Sequence, residues 1–269
     1  MRINQNVMAL NAWRNLNQTS FSISKSLERL SSGLRINRAA DDAAGLAISE
    51  KMRGQIRGLN MAVKNSQDAI SLIQTAEGAL NESHSILQRM RELAVQAASD
   101  TNTDADRTQL QSEVTQLLSE LDDIANKTQF NTKNLLNGSF NATFHVGANE
   151  NEVLTLAIAT MTAGGLTLTG LSIGSQAGAE AAIVSIDDAI EAVSTERSKL
   201  GAVQNRLDHK IANLSVAAEN LTAAESRIRD ADMAKEMMNF VRDQILLQSG
   251  TAMLAQANAV PQSVLQLLA

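Results

Sequence analysis

One heptad row constrains this chain more than any other feature. Ile186, Val193, Leu200, Leu207, Leu214, Leu221 and Ile228 fall seven residues apart, all branched and apolar, with no proline between them. A sustained seven-residue period marks a helix with one apolar seam. At about 1.5 Å per residue that helix would run roughly 63 Å. A compact globule of this chain's length has a radius of gyration of only about 18 Å. The expectation is therefore an elongated helical rod, with gentle left-handed coiling where the helix meets its neighbours.

A second row, offset by four, reads Ile190, Arg197, Gln204, Ile211, Ala218 and Glu225. It is half polar. Pairing with its own copy in a two-stranded coil would bury Arg197, Gln204 and Glu225 at core positions, which is unfavourable. A broader bundle with only one row fully buried suits the pattern, so the partners are expected elsewhere in the chain. Two candidates exist. From Ala43 to Ala98 the pattern is helical, and Leu72, Ile73, Ala76, Ala79, Leu80, Ser83, Ile86, Leu87, Met90, Leu93 and Ala94 form a stripe wide enough for two neighbours. After a polar turn over 99–105, Leu110, Val114, Leu117, Leu121 and Ile124 mark another helix, expected antiparallel to its predecessor because the joint is short.

The chain ends are helical by pattern as well. Ile3, Val7, Leu10, Trp13 and Leu16, then Leu27, Leu30 and Leu34, lead to a break at Ser31-Ser32-Gly33. A connector follows in which Asp41 or Asp42 can cap the next helix. Asp230-Ala231-Asp232 interrupts the long seam, after which Met233, Met237, Met238, Phe240, Val241, Ile245, Leu246, Leu247, Met253 and Leu254 resume an apolar face. Pro261 is expected to reset the chain before Val264, Leu265, Leu267 and Leu268. Between the helices the period changes: 143–146 and 153–158 alternate like strands about the loop 147–152, and 164–174 is Gly-rich and strand-like. The fold class is mainly α: an elongated helical bundle or coiled-coil rod with paired N- and C-terminal helices and a small β-hairpin element mid-chain. The expected division is 1–44 with 230–269, 45–136 with 179–229, and a β/loop element over 137–178.

Composition narrows the function. There is no Cys or Tyr, one Trp, five Phe and one Pro, which is poor material for a catalytic cleft and good material for helix packing. Without cysteine there are no disulfides and no thiolate metal sites. His84, His145 and His209 lie far apart and lack metal-ligand spacing. The acidic pairs Asp41-Asp42, Asp122-Asp123 and Asp187-Asp188 sit at helix starts or on solvated faces, and GGLTLTG lacks the Lys-Ser/Thr of a phosphate loop. No catalytic residue, cofactor or metal is assigned. Residues 1–60 carry nine Lys/Arg against four Asp/Glu, but the whole chain is −6, which opposes a phosphate backbone, so no nucleic acid is expected. The first residues lack the apolar run of a Sec signal, and no 18-residue apolar stretch would insert in a membrane.

The segments SSGLRINRAADDAAGLAIS (31–49), QTAEGAL (74–80), LQRMRELAVQAAS (87–99), NLTAAESRIRDADMAKEM (220–237) and MLAQAN (253–258) resemble bacterial flagellin, in order and across both terminal regions. Only about 40 residues stand where flagellins often insert outer domains, so the resemblance is to a minimal form. It implies terminal helices lining the inner tube of a secreted, extracellular filament used for swimming. Its implied partners are copies of itself, hook-associated and filament-cap proteins, an export chaperone and the type III export apparatus. The same resemblance assigns subunit assembly to Ile3, Val7, Leu10, Trp13, Met237, Phe240, Val241, Leu254, Val264, Leu265, Leu267 and Leu268. It likewise assigns recognition by Toll-like receptor 5 of a host to Gln88, Arg89, Arg91, Glu92, Leu93 and Gln96, with Glu113 across the turn. A hook–filament junction protein would share the terminal helices, and a cytoplasmic signalling coiled coil is the other alternative.

Overall fold

The computed structural model describes residues 5–268, with side chains described for 5–260. In chain order the elements are α1 (Val7–Ser32), α2 (Ala43–Ala98), α3 (Asp104–Lys127), β1 (Gln129–Phe130), β2 (Lys133–Asn134), β3 (Asn141–His145), β4 (Val153–Ala157), α4 (Gln176–Arg229) and α5 (Met233–Leu268). They form two compact units, Ile56–Ala218 and Met1–Gln55 with Glu219–Ala269, and α2 and α4 contribute residues to both. The architecture is mainly α, with two small antiparallel hairpins.

In the unit 56–218, α4 presents its heptad row to the core: Ile186, Val193, Leu200, Leu207 and Leu214 are buried. The half-polar row is handled as a bundle requires. Ile190, Gln204 and Ile211 are half-buried, and Arg197 lies 3.8 Å from Glu77 of α2. With Arg91 2.6 Å from Asp187, these two pairs run α2 and α4 antiparallel. On its other flank α2 receives α3: the Arg107 guanidinium donates to the Ala97 carbonyl at 2.9 Å, and Arg89 reaches Glu113 at 2.9 Å. Both expected neighbours of the α2 stripe are therefore present, and Ile73, Leu80, Leu87 and Met90 are fully enclosed between them. Thr103 and Asp106 start α3 with a reciprocal capping box.

The β elements cover this core. β1 and β2 are joined by Asn131 and Thr132, both at positive φ (48° and 64°), the geometry of a type I′ two-residue turn; this hairpin was not among the sequence expectations. β3 and β4 pair from Asn141↔Ala157 to His145↔Val153, with Leu154 and Leu156 buried beneath. Segment 164–174 corrects the sequence reading, because it forms no strand. It folds into consecutive turns, with Leu166 N–H donating to the Thr162 carbonyl at 2.9 Å and Leu168 N–H to that of Ala163 at 2.9 Å. Side chains of the helices take the place of a strand partner. Asp122 accepts from the Ala163 N–H at 2.7 Å, and Gln111 accepts from the Ile173 N–H at 2.6 Å while donating to the Leu171 carbonyl at 3.2 Å. Glu196, buried in the α4 face, accepts from the Ala159 N–H at 3.4 Å and from Lys199 at 3.0 Å.

The second unit is built on α1 and α5. Asn6 caps α1, and Gly33 ends it at φ 71°, donating its N–H to the Arg29 carbonyl, the left-handed stop that glycine adopts without strain. The connector is then fixed from several sides. Arg35 N–H donates to the Arg229 carbonyl at 2.7 Å and Ala231 N–H to that of Gly33 at 2.9 Å. Ile36 is buried, and the Arg35 guanidinium donates to the last carbonyls of α4, Arg227 and Ile228. Of the two acids offered as caps, Asp42 takes the role, accepting from the Gly45 N–H at 2.8 Å, while Asp41 turns back to accept from the Asn37 and Arg38 N–H groups of the connector. The expected reset at Pro261 does not occur, since α5 runs through it to Leu268. A proline at 261 removes the rung to the Ala257 carbonyl, which accepts instead from the Asn6 amide at 2.7 Å.

Candidate assembly surface

The seam between α1 and α5 mixes apolar with polar and small residues: Leu16, Ile23 and Leu30 of α1 and Phe240, Leu247 and Leu254 of α5 are half-buried. The α5 row that faces α1 reads, at heptad spacing, Glu236, Asp243, Gly250 and Ala257. Glu236 and Asp243 are buried. Ser26 donates to Glu236 at 2.7 Å, with Arg29 3.7 Å from the same oxygen. Arg242 donates to Asp243 at 3.3 Å. Gly250 lets Leu16 approach so closely that a Cβ there would meet Leu16 Cδ1 at 3.2 Å. Asn6 donates to the Ala257 carbonyl at 2.7 Å. These contacts descend on one helix as they rise on the other, so the pair is antiparallel. The seam also opens into a groove of about 770 Å³ bordered by Met8, Leu16, Asp243, Leu246 and Met253.

Many bulky apolar side chains of the pair are on the outside. Val7, Met8, Leu10, Trp13, Phe21 and Leu27 of α1, and Met233, Met237, Met238, Val241, Ile245, Leu246 and Met253 of α5, are all exposed, Trp13 at 57% and Met238 at 67%. Met237, Met238, Val241, Ile245 and Leu246 line one continuous shallow apolar groove beside Arg242. Exposed apolar area on this scale marks a surface that something else covers.

Each residue assigned to assembly can now be placed. Val7, Leu10, Trp13, Met237 and Val241 lie on this outer face, whereas Phe240 and Leu254 are half-buried on the inner side, in line with Glu236, Asp243 and Gly250. Ile3 falls outside the described residues, as do the side chains of Val264, Leu265, Leu267 and Leu268. Sequence reasoning missed Met8 and Phe21, and it named Ile245 in the apolar face of α5 without assigning it to assembly, although their helical spacing matches that of the residues it chose. It also missed the buried carboxylates: a seven-residue spacing from Glu236 through Asp243 to Gly250 and Ala257 is visible in the sequence only when polar and small residues are allowed to define the inner row.

The α2 residues assigned to receptor recognition divide across three directions. Gln88, Glu92 and Gln96 face outward and are exposed, together with Val95. Arg89 turns toward α3, donating to Glu113 at 2.9 Å and 3.0 Å and to Glu92 at 3.1 Å. Those carboxylates, Glu113 first, hold its guanidinium further above its ordinary range. Arg91 turns the other way, toward α4, where Asp187 does the same. Leu93 is 1% exposed and belongs to the core. Its position 100° from its neighbours along the helix turns it inward, so only its polar neighbours are presented.

The residues set aside as non-catalytic have structural partners. His84 approaches the Gln88 amide at 2.9 Å, and the His145 ring lies 3.1 Å from the Glu152 carbonyl oxygen. Among the described residues no group of His, Cys, Asp and Glu is arranged to hold a metal ion, and no helix is long and apolar enough to cross a membrane.

Comparison with known proteins places this geometry. The model of the bacterial flagellin N-terminal helical region matches residues 3–141, and that of the bacterial flagellin C-terminal helical region matches 183–268. The chain belongs to the flagellin family. It is 56% identical to a flagellin of Halalkalibacterium halodurans and 52% identical to a flagellin of Bacillus subtilis, in each case over the whole of both chains. It is 50% identical to flagellin FlaB2 of Treponema pallidum, again over both full lengths. Among solved structures, the crystal structure of Bacillus cereus flagellin is 35% identical, with a TM-score of 0.51, covering 60% of this chain and 94% of that one. A protein of Vibrio parahaemolyticus described as flagellar hook-associated shares the fold, with a TM-score of 0.60 over 71% of this chain and all of that one, at 17% identity. The flagellin likeness is thus the stronger in sequence and spans the full length, which disfavours the hook-associated alternative.

Proposed function

We propose that this chain is the structural subunit of a bacterial flagellar filament, and that it polymerises by burying the outer faces of α1 and α5 against further copies of itself. The observation that carries this reading is the outer apolar face of the α1–α5 pair, where Met8, Trp13, Met238, Val241, Ile245 and Leu246 are exposed. Burying bulky apolar side chains contributes roughly 1.5–3 kcal/mol each, and among the described residues these side chains remain largely uncovered. Neighbouring subunits supply that cover, so we place the ordering of the terminal pair at the moment of assembly. The role is structural and not enzymatic. The filament lies outside the cell, and the absence of cysteine lets the unfolded termini pass a narrow export channel without a cross-link. Export chaperone, type III export apparatus, hook-associated and cap proteins are the partners this reading entails, and Toll-like receptor 5 is the host partner for the outward α2 face. The expected three-part division, with 1–44 and 230–269 as the inner-tube part, belongs to the same proposal.

Val241→Ser and Ile245→Ser test it, because both positions are exposed in the single chain. Unfolding of the free chain should be unchanged within about 0.5 kcal/mol, while pelletable filament disappears at concentrations where the parent polymerises. Normal filaments from the double variant would refute the assignment of this face.

A further inference from the structure

The methionines concentrate on α1 and α5 in a way that packing alone does not require. Of the ten in the sequence, Met90 and Met161 are sealed in the core of the unit 56–218 at 0% and 3% exposure, whereas Met8, Met233, Met237, Met238 and Met253 are exposed on α1 and α5 and Met61 is exposed on α2. Met237 and Met238 sit in the apolar groove of α5, and Met8 and Met253 border the groove between α1 and α5 from opposite sides. With no cysteine in the chain, thioethers are its softest nucleophiles. We propose that Met8, Met237, Met238 and Met253 form a reversible two-electron oxidation site, acted on by peroxide in the free subunit, that switches off polymerisation. The inference rests on the assembly reading above.

The chemistry balances with hydrogen peroxide as the oxidant. A thioether lone pair attacks one peroxide oxygen, the S–O bond forms as the O–O bond breaks, the sulfur is oxidised by two electrons, and the peroxide's remaining oxygen leaves as water after proton transfer. The product is a polar, chiral sulfoxide that methionine sulfoxide reductases return to the thioether. In the free chain a sulfoxide on the outer face is hydrated and harmless. In the polymer the oxygen on Met237 or Met238 would enter a groove of Val241, Ile245 and Leu246 whose one lining donor, Arg242, already donates to Asp243, so docking is opposed there. Polymer already formed is protected, because the surface that buries these side chains also excludes the oxidant. Oxidation therefore acts on subunits and spares filaments.

The experiment treats intact chain with hydrogen peroxide, locates sulfoxides by peptide mass spectrometry, and measures the critical concentration for seeded polymerisation before oxidation, after it, and after incubation with the two epimer-specific reductases. Met8, Met237, Met238 and Met253 should oxidise about ten-fold faster than Met90 and Met161 in free chain and be spared in preformed polymer. The critical concentration should rise about ten-fold or more and return after reduction. In Met237→Leu/Met238→Leu the ratio of oxidised to untreated critical concentration, taken against that variant's own untreated value, should shrink, and in Met61→Leu it should not. Oxidised chain polymerising at the parent concentration, or Met90 and Met161 oxidising as fast as the α5 methionines, would overturn the proposal while leaving the assembly reading intact. Failure of untreated chain to polymerise would overturn the assembly reading and this proposal with it.

Discussion

Ser26 and Glu236, 210 residues apart in the sequence, share a buried 2.7 Å hydrogen bond at the seam of α1 and α5. Arg29 completes the cluster, 3.7 Å from the same carboxylate oxygen. Apolar seams tolerate sliding by a turn, but a buried acid with one hydroxyl and one guanidinium to match does not. Glu236→Ala would leave Ser26 and Arg29 without their acceptor, a loss of about 2–4 kcal/mol. We place the ordering of this pair at assembly, so the loss should read as a critical concentration raised roughly 30-fold or more. Glu236→Gln keeps an acceptor for Ser26 and should lie between the two. Equal polymerisation by all three chains would mean the cluster does not set the register.

The heptad row and the half-polar row of α4 make opposite predictions. Leu200 is wholly buried, and Leu200→Ala should destabilise the free chain by about 2–5 kcal/mol. Arg197 pairs with Glu77 across 3.8 Å at a partly exposed site, and Arg197→Ala should change stability by about 1 kcal/mol or less. Urea unfolding of the free chain separates them, and similar losses at both positions would show that the two rows are equally buried.

These rows also show what was legible. The row from Ile186 was readable because the helix that carries it has core on one side only, so burial and period coincide. The α2 boundaries were readable from Asp42 and the polar turn after Ala98. Segment 164–174 was not, because its conformation is set by side chains of Gln111 and Asp122, more than 35 residues distant in sequence, and by burial of Leu166, Leu168 and Ile173. Glu196 was hidden for a similar reason: nothing local marks a glutamate as the acceptor for the Ala159 N–H. At the candidate site the apolar outer face was partly legible by helical spacing, but the inner row of acids and small residues was not, since hydrophobic patterning alone assigns the bulky side to the inside.

Acid should loosen the connector after α1 in a definable window. The Lys25 ammonium, 2.8 Å from Asp41, and then the Arg38 and Asn37 N–H groups hold the Asp41 carboxyl down from 3.8 to about 2. A carboxyl depressed in the folded state stabilises fully above its unfolded value and loses that contribution as pH falls from about 4 through about 2. With Lys25 partly in water the contribution is about 1–2 kcal/mol. Asp41→Asn should weaken the polymer at neutral pH and flatten its disassembly curve between pH 4 and 2, followed by light scattering. A curve parallel to the parent's would remove Asp41 from the account.

Receptor signalling by soluble chain should depend on the outward face of α2 and not on the core beneath it. Arg89→Ala with Glu92→Ala removes the exposed charges while leaving Leu93 and Met90 enclosed, so the signal should fall with stability changed by less than about 1 kcal/mol. Leu93→Ala lowers stability by about 2–5 kcal/mol, and any loss of signal there would reflect unfolding. A full response from the Arg89/Glu92 double variant, measured with thermal unfolding of the same sample, would show that this face is only a solvated helix surface.

The coupling of terminal order to assembly gives the most decisive prediction. The unit 56–218 has its own core, running from Leu72 and Leu87 of α2 through Val114 and Leu121 of α3 to Ile186 and Leu207 of α4. Nothing in that core depends on α5, so deleting residues 233–269 should leave its unfolding transition in place. On α1 and α5 the described side chains that are fully buried are Ser26, Glu236 and Asp243, while Leu16, Ile23, Leu30, Phe240, Leu247 and Leu254 are only half-buried and much apolar area faces outward. Opening this pair in the free chain therefore forfeits less than opening the α2, α3 and α4 core, and its amides should exchange with solvent far faster. In the polymer, copies of the chain cover the outer face, and the same amides should slow by several orders of magnitude, approaching the protection of the core. The truncated chain should neither form filaments nor join growing ones. Core-like protection of α5 amides in free chain, or filaments from the truncated form, would mean that the terminal pair is stable before assembly and that the apolar outer face serves another purpose.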